Sequence, residues 1–369
     1  MPIPMPFTGS SSHLTADGKV VHIRRRDSMR TACRCLDSVH PGGMLIRMQV
    51  SEHVDAVASP AGTAADLGVL SRCIAVVNGK GGVGKTSLTA NLAGLYAAAG
   101  YRTLAIDLDP QGNLGDDLGY LGAGLSDNGA ELVDALRARR AYRPLRDVRP
   151  GLDVLAGGPV LSELNSDFYG GHVSPDTVLA FTGSLAPIAD NYELILIDCP
   201  PGNDALQESA LAAARWVIIP TKSDPSSRAG LQIVAARFSA IRAQYNPDLQ
   251  LLGVVLFGVN GAATRLIGEA RRILSEDLGL PGALCEASIR HVEAAAFDAR
   301  SRGQLVHELE RDVHKEPSRF ELLRMDKETR QRTRTLAASA GSLAADYQRL
   351  AEELIDRIVA SETAEGRRA

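Results

Sequence analysis

Apolar and polar positions fall into blocks along this chain, and the blocks switch between two periods. Short, mostly apolar runs at Cys73–Val77, Arg102–Ile106, Leu152–Leu155, Glu193–Ile197, Trp216–Pro220 and Leu251–Phe257 predict buried strands. Between them, Ser87–Ala99, Thr177–Asp190, Ala205–Ala214, Ser226–Gln244 and Arg265–Leu278 read as helices. Such alternation predicts an α/β fold, a mostly parallel twisted sheet with helices on both faces. Residues 1–70 mix Pro, Gly, Ser, Thr and short charged runs without sustained periodicity, and predict a flexible N-terminal extension ahead of a domain over 71–312. Residues 313–369 predict a charged linker and a C-terminal amphipathic helix. In that helix Leu336, Leu343, Tyr347, Leu350, Leu354 and Ile358 recur at helical spacing, as for a helix docked on the domain, and Ser361–Ala369 form a polar tail.

The first predicted strand runs into Gly79-Lys80-Gly81-Gly82-Val83-Gly84-Lys85-Thr86, which matches G-x-x-x-x-G-K-[ST] in full and is followed by a helix. Glycines let a loop bend so that its N–H groups close on phosphate oxygens, and the helix adds the positive end of its dipole. Lys85 is placed to reach the β- and γ-phosphates, Thr86 to ligate Mg²⁺, and Ser87 opens the helix beside them. The second predicted strand ends in Asp107-Leu108-Asp109-Pro110-Gln111-Gly112-Asn113, and another ends in Asp198-Cys199-Pro200-Pro201-Gly202. Carboxylates at the C-terminal ends of parallel strands sit where open α/β sheets bind ligands.

These three motifs, in this order, resemble the deviant Walker A NTPases of the ParA/MinD family over residues 71–312, about two thirds of the chain. The resemblance implies a P-loop NTPase using ATP and Mg²⁺, with Lys80 crossing the interface of a nucleotide-sandwich homodimer. It makes Asp109 the residue that orients the attacking water, with Asp107, Thr86 and Asp198 organising Mg²⁺. Within the family the DPQGN run sides with ParA-type partition ATPases. These imply non-specific binding of double-stranded DNA and a ParB-like centromere-binding partner that triggers hydrolysis. Arg265 and Arg290, with Arg271 and Arg272, are the candidate phosphate contacts; Arg290 falls on the first of two family arginines, Glu293 occupies the region of the second, and Arg300 and Arg302 stand downstream as its compensation.

Three alternatives make different demands on the chain. Thr221-Lys222-Ser223-Asp224 has the form that reads guanine in GTPases, but it lies one strand too early, and Asn260 at the end of the next strand is the candidate adenine contact, so ATP is favoured over GTP. A MinD-like membrane-cycling ATPase needs a basic, bulky amphipathic helix at the extreme end, which SETAEGRRA does not supply, so no stable membrane association is expected. An electron-transfer relative needs paired cluster cysteines, and an amidoligase-like one further polar motifs; neither is evident. Hydrophobic content of 45% without an 18-residue apolar run predicts a globular protein with no membrane span. The five scattered cysteines suit a reducing, cytoplasmic setting, with the nucleoid as the expected address. At a net charge of −4, any DNA contact has to come from a local basic patch.

Overall fold

A computed structural model describes the chain. Described are two short strands, β1 (Ser12–Leu14) and β2 (Val20–His22), and residues 70–367 with breaks at 165–174, 203, 223–225, 260–263, 273, 275, 277–279, 314, 316–323, 325–336 and 338. β1 and β2 pair antiparallel within a unit spanning Met1–Ala61, and the remainder, Gly62–Ala369, forms a second unit. Most of the expected N-terminal extension and most of the charged linker lie outside the described residues.

The larger unit is built on the apolar runs. β3 (Cys73–Val76), β4 (Thr103–Asp107), β6 (Leu152–Leu155), β7 (Leu194–Asp198) and β8 (Trp216–Thr221) are buried at every position. Strands covered on both faces read as continuous apolar runs, which is why they are so plain in the sequence. With β5 (Leu145–Arg149), β9 (Gln250–Val259) and β10 (Ile289–Arg290) they form an eight-stranded sheet of order β10-β9-β8-β3-β7-β4-β6-β5. All pairings are parallel except β5 with β6.

Successive side chains point to opposite faces, so the sheet builds two cores. Ala75, Ile106, Ile197 and Val217 face a layer formed by α3 (Ala130–Ala138), α4 (Pro175–Ala189), α5 (Asp204–Ala213) and α6 (Ser226–Gln244). Ile74, Ala105, Leu196 and Ile218 face α1 (Lys85–Ala98), α2 (Leu114–Asp117), α8 (Glu293–Arg302), α9 (Val306–Val313) and α10 (Ala340–Gly366). Helix α7 (Thr264–Arg272) follows β9.

Helix α10 joins the second core along its apolar stripe: Leu343, Tyr347, Leu350, Leu354 and Ile358 are all buried. Full burial of side chains this size is worth about 1.5–3 kcal/mol each, as an upper bound. Polar pins fix the register. Tyr96 of α1 donates to the Ala351 carbonyl at 3.2 Å, Glu353 accepts from the Glu286 and Ala287 amides, and Arg357 donates to the Leu252, Gly282 and Leu284 carbonyls. The helix runs through the stretch expected to be a polar tail, because Glu362 pairs with Arg72 at 3.1 Å and Glu365 with Arg215. Among the described residues no helix is long and apolar enough to cross a membrane.

Candidate nucleotide site

The glycine-rich segment joins the carboxyl end of central β3 to α1. Asn78, 1% exposed, anchors its base: the side-chain amide donates to Pro220 O at 2.7 Å, and the side-chain oxygen accepts the Lys80 amide at 2.9 Å. Gly82 and Gly84 hold φ of +70° and +89°, a region that favours glycine. A Cβ built on Gly79, Gly81 or Gly82 meets no atom within 4 Å, so the space beside these three positions is open. The first turn of α1 has no acidic side chain and no side-chain cap, which leaves its N–H groups and dipole for an anion. Lys85, 6% exposed, folds back over this loop and donates to Lys80 O at 3.1 Å. Burial lowers its pKa, and the Asp198, Cys199 and Asp109 charges offset part of that shift.

Parallel register brings two carboxylates to the same edge. Asp107 of β4 lies opposite Asp198 of β7, which in turn lies opposite Val76, the last residue of β3. Asp107 is fully buried, and its oxygens accept the Asp109 amide at 2.9 Å and the Leu114 amide at 3.2 Å. It therefore closes the turn that carries Asp109. Burial and the facing Asp198 push its carboxyl well above the usual range, against those two amide bonds. Asp109, in turn, accepts the Gln111 amide at 2.9 Å through one oxygen.

Asp198 is different. It is fully buried, and neither carboxylate oxygen has a hydrogen-bond partner of normal geometry. Burial pushes its pKa up to about 7, with the Thr86 hydroxyl and Lys85 pulling the other way. Two orphaned anionic oxygens beside a Thr hydroxyl and an open glycine loop suit a hydrated hard cation, which takes few protein ligands and keeps its waters. The loop after Asp198 is held by Gln207, which donates to Pro200 O at 2.6 Å.

Further residues complete the site without a motif to announce them. Ser87 donates to Asp117 at 3.1 Å, and Arg300 of α8 reaches Asn113 at 2.8 Å and Asp117 at 3.4 Å. The first turn of α1, the loop after Asp109 and α8 are thus tied together. A cavity of about 380 Å³ beside that turn is lined by Ser87, Phe257, Gly258, His291 and Val292 among others. Phe257 packs on the phosphate loop so closely that a Cβ on Gly84 would meet its ring at 2.4 Å. Asn260, Ser223 and Asp224 lie outside the described residues.

Of the expected phosphate contacts, Arg265 lies on α7, with its side chain outside what is described. Arg290 is exposed but engaged: its Nε and Nη2 donate to the buried Asp346 of α10 at 2.6 and 2.8 Å, its amide donates to the same carboxylate at 3.0 Å, and Arg349 shares that carboxylate. Nothing local in the sequence announced this pair, whose members stand 56 residues apart.

An AAA-domain family model, AAA_31, matches residues 71–251. The chain is 33% identical over 197 residues to a chromosome partitioning protein ParA of Myxococcus xanthus, covering 51% of this chain and 65%, just under two thirds, of that protein. It is 34% identical over 201 residues to the chromosome-partitioning ATPase Soj of Thermus thermophilus, covering 52% of this chain and 70% of that one. Among solved structures it is similar to an ATP complex of a McdA variant from Cyanothece, with a TM-score of 0.55 at 18% identity, over 64% of this chain and 90% of that chain.

Proposed function

We propose that this chain, which belongs to the ParA/MinD family of P-loop ATPases, is a partition protein switched by ATP. Its ATP-bound homodimer binds double-stranded DNA without sequence preference, and a ParB-like partner at a centromere-like site ends that state by stimulating hydrolysis. The names of the Myxococcus and Thermus relatives support the partition reading, and the McdA complex supports ATP. The observation that carries the chemistry is the placement of Asp198, buried and unsatisfied, next to Thr86 and an open glycine cradle.

In this reading the amides of Gly79–Thr86 bind the phosphates, Lys85 neutralises the β- and γ-oxygens, and Lys80 reaches the nucleotide of the partner subunit. Thr86 and Asp198 would hold Mg²⁺, which would supply charge neutralisation at the transferring phosphoryl group. Asp109 orients the attacking water. Asp107 acts one step back, fixing the turn that carries Asp109 and facing Asp198 across the strands. The cavity at Phe257 and His291 takes the nucleoside, with Asn260 as the base contact. Catalysis is positioning plus charge neutralisation, so turnover is slow until a partner completes the geometry. A membrane-cycling role fits less well, because the apolar stripe of α10 is covered by the second core.

The test is binding of the purified protein to random-sequence duplex DNA with ATP and with ADP at one low salt concentration. Binding with ATP that is lost with ADP is expected. Equal binding in both states, or none in either, overturns the switch.

A further inference from the structure

Arg290 is held by Asp346, which Arg349 shares, and several other arginines are similarly engaged. Arg300 pairs with Asp116 and Asp117, Arg271 with Glu286, and Arg272 with Glu269 and Glu276. A paired arginine meets a phosphate with its charge already partly compensated by its carboxylate. An unpaired one releases the phosphate's counterion with no such compensation.

Among the described residues, two arginines without an ion pair stand in a groove. A groove of about 530 Å³ opens between the end of α8, α9 and edge strand β5, and Arg149, Arg302, Arg311 and Lys315 line it against Glu308 and Asp312. Arg149 is consumed by Glu308 and the Leu118 and Gly303 carbonyls, and Lys315 by Asp312. Arg302 and Arg311 are exposed, and among the described residues neither makes an ion pair or a side-chain hydrogen bond. Among the described lining residues four cations thus face two carboxylates, and Arg302 acts on Asp312 through space only.

It is also joined to the nucleotide site. Arg300, two residues before Arg302 on α8, bonds to Asn113 in the loop after Asp109. Gly303 packs so tightly on Gly119 that a Cβ on it would stand 2.4 Å from the Gly119 Cα.

We infer that the phosphates of duplex DNA lie in this groove, on Arg302 and Arg311, and not on Arg290. The inference rests on the ATP-switched DNA reading above. The test is the salt dependence of random-duplex binding in the ATP state between 50 and 200 mM, with ATP-driven dimerisation measured alongside by size-exclusion chromatography and light scattering. Each phosphate contact adds about 0.9 to the slope of log K against log salt, so for each protomer whose groove meets the duplex R302A/R311A is expected to lower the slope by about 1.8 and to lose about twelvefold less affinity over that range. R302K/R311K keeps the slope, as does R290A, and all variants dimerise with ATP. A wild-type slope in R302A/R311A, or the drop appearing in R290A instead, overturns the inference while leaving DNA binding in place. A wild-type protein that dimerises with ATP yet binds no duplex overturns both readings.

Discussion

Gly157 lies outside every nucleotide motif, yet a methyl group there strikes Asp107 at the carboxyl edge of the sheet. A Cβ at this position would stand 2.6 Å from Asp107 Cγ and 2.8 Å from Asp107 O and Oδ1. The backbone itself imposes no penalty, since Gly157 is not among the residues with positive φ. All of the cost therefore falls on the contact, which is about 0.8 Å short of the 3.4 Å at which ordinary contact begins. Overpacking of this kind costs about 1–3 kcal/mol, within what a folded domain with about 5–15 kcal/mol of stability survives. The effect on chemistry is larger than the effect on folding. Asp107 holds the amides of Asp109 and Leu114, so its retreat moves the turn carrying Asp109, and a misplacement of about 1 Å costs on the order of 10²-fold in rate. Gly157→Ala is expected to lose about 1–3 kcal/mol in urea unfolding and about 10²-fold in single-turnover ATP hydrolysis, with nucleotide affinity unchanged because the phosphate loop is untouched. Gly183→Ala is the matched control. It stands exposed on α4 with no atom within 4 Å of its Cβ, and should gain about 0.5–1 kcal/mol. Wild-type hydrolysis by Gly157→Ala would refute the claim that Asp107 sets the position of Asp109.

Other perturbations separate the remaining roles. Lys85→Ala should abolish nucleotide binding in a fluorescent-nucleotide titration, whereas Lys80→Ala should still bind ATP but remain a monomer by light scattering; dimerisation of Lys80→Ala would remove that lysine from the interface. Asp109→Ala should accumulate an ATP-bound dimer, and fast turnover by that variant would reassign the water-orienting role. For pH, burial raises the Glu308 carboxyl, but Arg149 and the Leu305 amide outweigh it and leave its pKa below the usual value. A depressed folded-state pKa contributes stability above the unfolded pKa, about 4.3, and loses it as pH falls through the folded value. Glu308→Gln should therefore flatten the fall of urea-unfolding stability below about pH 4.3, and an unaltered acid profile would show that the pair with Arg149 carries no linkage.

The parts of this protein legible in the sequence are those that chemistry makes local. A strand buried on both faces is a run of consecutive apolar residues, and a phosphate loop is eight consecutive residues between a strand and a helix. Six of the eight strands of the sheet, with α1, α4, α5, α6, α7 and α10, follow from such runs, whereas β10, α2, α3, α8 and α9 do not. β5 escaped because LRDVR is polar and sits at an exposed sheet edge, where its arginines find Asp153 and Glu308. Asn78, Asp117 and Arg300 escaped for a different reason. Their partners lie 142, 30 and 187 residues away, at Pro220, Ser87 and Asn113, and no periodicity marks a contact of that kind. The same holds for the reach of α10 to Gly366, which depends on Arg72 and Arg215 near the start of the domain's strands.

The seam between α1 and α10 has a consequence for how the protein is made. Tyr96 and Ala351 are 255 residues apart, so at ribosomal rates of about 5–20 residues per second the helix behind the phosphate loop waits roughly 13–50 s for its cover. During that interval Leu88, Leu92 and Tyr96 have no α10 to pack against, although the glycine loop itself is already synthesised. The nascent chain thus holds a complete nucleotide motif on an incomplete support. A nucleotide met in that interval finds the glycine loop on a helix with one apolar face still uncovered.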